Sequence, residues 1–197
     1  MNHIIRHLSG MLPYMALIIP FHFIVRLVVL KRRKLKINWY HEFALLLFVA
    51  FVAGLASQTV ISDLSFGKNG IVVYGGNHNT ALIPFRVVCY TWHNLFVNHS
   101  AKNLLIDVLG NIIMFMPFGF FVPLLWRVSD KATVAVGFIV SLSIELIQLF
   151  LPRWTDIDDL ILNTSGTLLG LLLYHFLNNR FRKFMNQFRM TRREKRI

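Results

Sequence analysis

Cysteine and acidic residues are scarce in this 197-residue chain, and both shortages exclude whole classes of protein. The single cysteine, Cys89, cannot form an internal disulfide, and the sequence has neither a CxxC motif nor a Cys/His cluster that would indicate a structural metal site. We therefore predict no cofactor, no metal and no redox chemistry. Only 9 Asp and Glu residues oppose 21 Lys and Arg residues, so the chain carries a formal net charge of +12.

Apolar residues make up 55% of the chain, and the charged residues are mostly confined to a few short runs, as in an integral membrane protein. A helix needs about 20 residues to cross a hydrocarbon core of about 30 Å. Five apolar stretches approach or exceed that length: 9–30, 42–61, 104–126, 132–151 and 160–177. The first has no small-residue cleavage site, so we interpret it as a retained span and not as a signal peptide. The predicted fold is an all-α bundle of about five transmembrane helices with one extracytoplasmic loop.

Lys and Arg are distributed unequally between the two sides of this predicted bundle. The segments 31–36 and 127–131 and the tail from residue 178 hold 15 of them, whereas the segments on the other side hold 5. Because short loops rich in Lys and Arg stay in the cytoplasm, we predict a multi-pass cell-membrane protein with its N-terminus outside and its C-terminus inside. The tail directly follows a span, which favours contact with anionic lipid headgroups over nucleic acid.

Polar residues inside the predicted spans lie at similar depths. Glu145 is expected about six residues, or roughly 9 Å, below the outer membrane boundary. Gln148 and Ser141 share its helix face, and Asp107 and Asn111 share a face of the preceding span. Asn163 enters at a similar depth, beneath Arg153 and three aspartates, Asp156, Asp158 and Asp159. The pattern predicts that all buried polar groups line or roof a polar pocket open to the outer leaflet.

Structural roles remain open for several of these residues. Asp158 or Asp159 can cap the last span by accepting hydrogen bonds from its unpaired N–H groups. Asn111, Gln148 and Asn163 can join helices through side-chain hydrogen bonds. Two carboxylates at membrane depth, Glu145 and Asp107, favour function more strongly because each needs a partner, water or a proton. Arg86 and Arg153 are candidates for the counter-charge.

Two other stretches predict local structure. The motif "GTLLG" (166–170) has small residues four apart, which lets a second helix approach closely. The turn-rich stretch that begins at residue 65 has no helical period and can hold a short strand pair. The following stretch, 81–96, is apolar and aromatic, and predicts a segment that lies on the outer leaflet or re-enters the bundle.

Three blocks of sequence resemble the VanZ-like membrane proteins: "LIPFR" (82–86), "NIIMFMPFGFFVPLL" (111–125) and "SIELIQLFLPRWTDIDDLILNTSGTLLG" (143–170). The last block is similar to the family's Glu-x-x-Gln, Arg-x-x-Asp-x-x-Asp and Asn-x-x-Gly-x-x-x-Gly signature. The resemblance implies that the family's polar positions are Arg86, Asn111, Glu145, Gln148, Arg153, Asp156, Asp159 and Asn163 here. Asp107 and Asp158 join this predicted ligand-binding set because of their depth and proximity.

The resemblance also implies a division of the chain into three regions. Residues 1–40 form an N-terminal transmembrane helix and a basic cytoplasmic loop, residues 41–177 form the VanZ-like transmembrane domain, with the best motif match over 80–175, and residues 178–197 form a basic cytoplasmic tail. The family is associated with antibiotic resistance, namely reduced susceptibility to teicoplanin, a glycopeptide with a membrane-anchoring lipid.

Three classes of function fit a polar pocket that opens outward. We rank first an accessory protein of the cell envelope that binds a lipid headgroup or a lipid-linked cell-wall precursor and so affects the lipoglycopeptide indirectly. An intramembrane transferase or hydrolase is second, with Glu145 as general base and Arg86 or Arg153 on a phosphate. It lacks a recognised nucleophile motif, although carboxylates can hold a divalent metal. A proton-coupled carrier is third, because five helices leave no equal inverted repeats.

Overall fold

The computed structural model describes most of the chain. The described residues are 2–33, 37–59, 64–67, 70–73, 80–81, 83–94, 96, 102–151 and 155–189. Arg153 lies outside them, and for Asp107 only the backbone is described. The placement of Arg153 beside Glu145 and the side-chain contacts of Asp107 therefore stay predictions.

Helices dominate the described residues, which establishes an all-α membrane protein. The long helices are α1 (Asn2–Arg33), α2 (Trp39–Thr59), α4 (Lys102–Leu125), α5 (Asp130–Gln148) and α6 (Ile157–Arg180). They correspond one to one to the five predicted spans. Two short helices are α3 (Arg86–His93) and α7 (Arg182–Met185), and a 3-10 turn follows at Asn186–Phe188.

Four of the long helices contain stretches that are long and apolar enough to cross a membrane. These stretches are Leu12–Arg32, Trp39–Thr59, Val108–Leu125 and Ile157–Arg180. The remaining long helix, α5, has 19 residues and hence a length of about 28 Å, close to the hydrocarbon thickness. We interpret α5 as the fifth span.

Among the described residues, four short strands form two separate pairs. The strands β1 (Leu64–Gly67) and β2 (Gly70–Val73) pair antiparallel, which confirms the strand pair predicted in this stretch. The strands β3 (Thr80–Ala81) and β4 (Thr155–Asp156) pair in parallel. This second pair was not predicted, and it ties the chain just before α3 to the chain just before α6.

The chain divides into two compact units. The first consists of Met1–Ser62, Leu124–Arg127 and His175–Ile197, and it contains α1, α2 and α7. Within it, Arg26 of α1 donates from Nε and Nη2 to the two carboxylate oxygens of Glu42 in α2, at 2.5 and 2.8 Å. Both side chains are largely withdrawn from solvent. This pair was not predicted from the sequence.

The end of the described chain is fastened to the start of α2 within the same unit. The Asn38 side chain accepts from the backbone N–H of Tyr40 and donates to the carbonyl oxygens of Gln187 and Arg189, at 2.7 and 3.1 Å. His41, which is buried, has its Nδ1 2.9 Å from the carbonyl oxygen of Phe188. A carbonyl oxygen only accepts, so His41 Nδ1 carries the proton in this contact.

The second unit consists of Asp63–Pro123 and Val128–Tyr174, and glycines hold its helices together. A Cβ atom at Gly166 or Gly170 of α6 would overlap with the backbone carbonyl of Ile112 or Met116 in α4. Likewise, a Cβ at Gly119 of α4 would overlap with the α6 backbone. The close helix approach predicted from "GTLLG" is confirmed, since only glycine leaves room for backbones at this separation.

Candidate binding site

Residues of α5 and α6 oppose each other in a regular ladder. A Cβ at Gly137 would overlap with the Thr167 side chain, and one turn further along α5 Ser141 accepts from Asn163 Nδ2 at 2.9 Å. Each step advances four residues along α5 and goes back four along α6, so the two helices run antiparallel. The next step brings Glu145 opposite Asp159.

Glu145 occupies the carboxylate end of this ladder. Glu145 is only 6% exposed, and its carboxylate lies within electrostatic reach of the carboxylates of Asp159 and Asp156. It accepts a hydrogen bond from the backbone N–H of Asp156. Its Oε2 atom is buried and has no hydrogen-bond partner within the described part of the chain. A carboxylate oxygen in this state is costly, because burial removes its water and no described residue replaces that water.

Asn163 lies one turn deeper on the ladder and is also incompletely bonded. Its Nδ2 donates to Ser141, but its Oδ1 is buried without a partner among the residues that the structure describes. The residue is 5% exposed, and Ser141 and Thr167 beside it are fully buried. The ladder thus holds two buried oxygen acceptors, one turn apart, that the described protein leaves unsatisfied.

Asp156 immediately precedes α6 and makes two contacts at once. Its Oδ1 accepts from the backbone N–H of Asp158 at 3.0 Å, which is the geometry of a helix N-cap. Its Oδ2 forms an ion pair with Arg86 Nη2 at 3.2 Å. Among the described contacts the α6 cap is therefore Asp156, not the predicted Asp158 or Asp159. The reason is that α6 begins at Ile157, so Asp156 occupies the residue just before it.

Asp158 caps a different helix across space. Its two oxygens accept from the backbone N–H groups of Phe85 and Val87, the latter at 2.6 Å. These groups lie at the start of α3, where Phe85 adopts the left-handed conformation with φ of 62°. Asp158 is 1% exposed, so its charge is held by two backbone donors and by the helix dipole. Its role in this contact is structural, because it fixes the turn that carries Arg86.

Asp159 faces α4. Asn111 Nδ2 donates to its Oδ1 at 2.6 Å. Gln148 is buried at the last residue of α5, whereas the Arg86 side chain is 44% exposed. Asp107 precedes Asn111 by one helical turn and shares its face of α4.

The structure therefore brings most of the predicted residues into one group. We call this group the carboxylate cluster and define it as Glu145, Asp156, Asp158 and Asp159, with Arg86, Asn111 and Asn163 bonded to it or to the same ladder. The cluster contains four carboxyl groups and one described guanidinium, so it carries excess negative charge. Sequence reasoning missed the backbone donors of α3, because no local pattern links residues 85–87 to Asp158. In the described part of the chain, no group of three or more His, Cys, Asp and Glu has the geometry to hold a metal ion.

Comparisons with known proteins identify the segment that holds this cluster. The model of a family described as VanZ/LLP1 matches residues 43–178. Protein VanZ from Enterococcus faecium is 36% identical over 88 residues, which are 44% of this chain and 52% of that protein. The match thus spans about half the length of that relative. No solved structure matches the chain.

Proposed function

The chain belongs to the VanZ/LLP1 family, and we propose that it binds the polar part of an envelope lipid, or of a lipid-linked cell-wall precursor, in the carboxylate cluster. By occupying or withholding that lipid it lowers susceptibility to teicoplanin and related lipoglycopeptides. The relative from Enterococcus faecium contributes only its name and its similarity. Membership of the family supports the proposed effect on teicoplanin susceptibility, whereas the proposed lipid binding rests on the cluster.

The observation that carries the proposal is the unpartnered Oε2 of the buried Glu145. A carboxylate at membrane depth costs about 3 kcal/mol or more near the bilayer centre, and less toward the interface, unless a partner compensates it. The other carboxylates of the cluster have such partners, in Arg86, Asn111 and the α3 backbone. Since the Oε2 atom of Glu145 has no partner among the described residues, we propose that a ligand entering the cluster supplies the missing interaction.

The proposed orientation puts this cluster in the outer half of the membrane. The Lys and Arg bias supports an N-terminus outside and a C-terminus in the cytoplasm. A periplasmic-type reporter fused after Gly76 is expected to be active outside, and one fused after Arg196 is expected to be inactive there. The reverse pattern would place the cluster in the inner leaflet and contradict its proposed contact with lipoglycopeptides.

The described part of the basic tail supports a second lipid contact. Arg180, Arg182 and Lys183 are exposed, and they alternate with Phe181 and Phe184, which are 52% and 54% exposed. Cations interleaved with aromatic rings at the end of a span favour anionic headgroups at the membrane surface. The contacts of Asn38 and His41 hold this segment near the start of α2.

The experiment for the main proposal measures teicoplanin tolerance in a susceptible host. The full chain is expected to raise the minimum inhibitory concentration, and Glu145→Gln is expected to return it to the vector level at equal membrane abundance. Asp130→Asn, an exposed carboxylate at the other end of α5, is the matched control and should behave as the unsubstituted chain. Full tolerance with Glu145→Gln, or none with the unsubstituted chain, would contradict the proposal.

A further inference from the structure

We propose that the group held by the carboxylate cluster is a primary ammonium, carried by an amine-bearing lipid headgroup. This inference rests on the proposed function and names the chemistry of its ligand. It follows from three properties of the cluster: the sign of its charge, the kind of atom left unsatisfied, and the position of its exposed arginine.

The charge of the cluster disfavours an anion. The carboxylates of Asp159 and Asp156 lie within electrostatic reach of Glu145, and the one described guanidinium of the cluster, that of Arg86, is already paired with Asp156. Even if Arg153, which lies outside the described residues, is counted as a cation, the four carboxyl groups of the cluster outnumber the two guanidinium groups by two. A phosphate inserted beside Glu145 would add negative charge where like charges already repel each other. A cation in the same place is attracted by every carboxylate.

The unsatisfied atoms are acceptors, so the ligand has to donate. Glu145 Oε2 and Asn163 Oδ1 are both buried and have no partner among the described residues, one turn apart along the ladder. A primary ammonium carries three N–H donors on one compact cation, which allows it to bond both oxygens and a third acceptor. A quaternary ammonium carries the same charge but no N–H group. The cluster should therefore discriminate between these two cations.

Arg86 supplies the complementary charge for the rest of the headgroup. Its side chain is 44% exposed, in contrast to the buried Glu145. In a headgroup that bears both a phosphate and an ammonium, the phosphate can meet the exposed guanidinium while the ammonium reaches the buried oxygens. The cluster would then bind a zwitterionic headgroup and not a phosphate alone.

The experiment compares matched lipids on the purified full chain in nanodiscs, by native mass spectrometry and thermal unfolding. Phosphatidylethanolamine and lysyl-phosphatidylglycerol are tested against phosphatidylcholine and phosphatidylglycerol, which lack the primary amine. We expect about tenfold preferential retention of each amine-bearing lipid over its partner, the size expected for a hydrogen bond to a charged group. Glu145→Gln should remove this preference while unfolding at an unchanged or higher temperature, and Asp130→Asn should keep it.

Further arms separate the possible sources of the ligand. Preference for phosphatidylglycerol that is lost with Glu145→Gln would overturn the ammonium while leaving lipid binding intact. Stabilisation by free ethanolamine in phosphatidylcholine nanodiscs, without any lipid preference, would support the ammonium but overturn the proposed lipid function. Stabilisation by Mg²⁺ alone, lost with Glu145→Gln, would replace the ammonium by a metal ion. Retention of no lipid above the level of Glu145→Gln would overturn both proposals.

Discussion

The two compact units of this chain differ in how completely their buried charged groups are paired. In the first, Arg26 and Glu42 match one to one, and both carboxylate oxygens receive a donor. In the second, four carboxyl groups meet one described guanidinium, and Glu145 Oε2 receives nothing from the described residues. The first arrangement is complete without a ligand, whereas the second is not.

The balance between donors and acceptors distinguishes a structural ion pair from a candidate binding site better than depth in the membrane does. Charge in a span always has a cost, so depth alone selects both groups. What distinguishes them is the balance between donors and acceptors. The bidentate pair between Arg26 and Glu42 is fully used in joining α1 to α2. The carboxylate cluster has more acceptors than described donors, so its acceptors can still bind another molecule.

The largest effect is expected from Gly166→Leu and Gly170→Leu, which would break the second unit without changing any of its charges. Each side chain would be forced into the backbone of α4, at Ile112 or Met116, where no flexible atom can move aside. The expected loss exceeds about 4 kcal/mol and leaves little folded protein. Detergent-solubilised yield and thermal unfolding measure it.

Gly110→Leu is the matched control for these two variants. Gly110 also lies on a long helix, α4, but a Cβ there meets nothing within 4 Å. Its yield should match the unsubstituted chain, and its stability can rise slightly, because leucine forms helices better than glycine. Equal yields for all three leucine variants would show that helix contact does not hold the cluster together.

Glu42→Ala is expected to have the next largest effect, and it tests the first unit. Removing one partner of a largely buried ion pair deprives the Arg26 guanidinium of the carboxylate described here, which is expected to cost about 3 kcal/mol. Thermal unfolding should register the loss, whereas the preference for amine-bearing lipids should survive in the folded fraction. Arg26→Met combined with Glu42→Met should recover most of the stability. If Glu42→Ala unfolds like the unsubstituted chain, the pair is not the structural feature described here.

Much of the fold was predictable from sequence because membrane helices obey strong local rules. Apolar length predicted all five long helices, and the small-residue spacing at Gly166 and Gly170 predicted close packing. Helical periodicity together with depth placed Glu145, Asn163 and Asn111 in one region. Each of these steps depends on residues near one another in the sequence, or on a common membrane boundary.

Contacts between distant segments were not predictable in the same way. The β3–β4 pair and the bond from Val87 to Asp158 join segments about 70 residues apart, and neither has a local sequence pattern. The Arg26–Glu42 pair was missed for a different reason. Both residues flank the same basic loop, and this position could have indicated that they pair. From the sequence, all buried polar groups were instead assigned to the pocket around Glu145.

The smallest stability effect, and the sharpest contrast, is expected between two carboxylates of the same cluster. Asp158→Asn removes the negative charge that accepts from Phe85 and Val87, so it should cost about 1.5–3 kcal/mol in thermal unfolding. Glu145→Gln removes a charge whose Oε2 has no described partner, so it should cost nothing or stabilise the protein while abolishing lipid preference. If Glu145→Gln loses stability and Asp158→Asn does not, the two roles are reversed: Glu145 is then the structural group and Asp158 the candidate ligand-binding group.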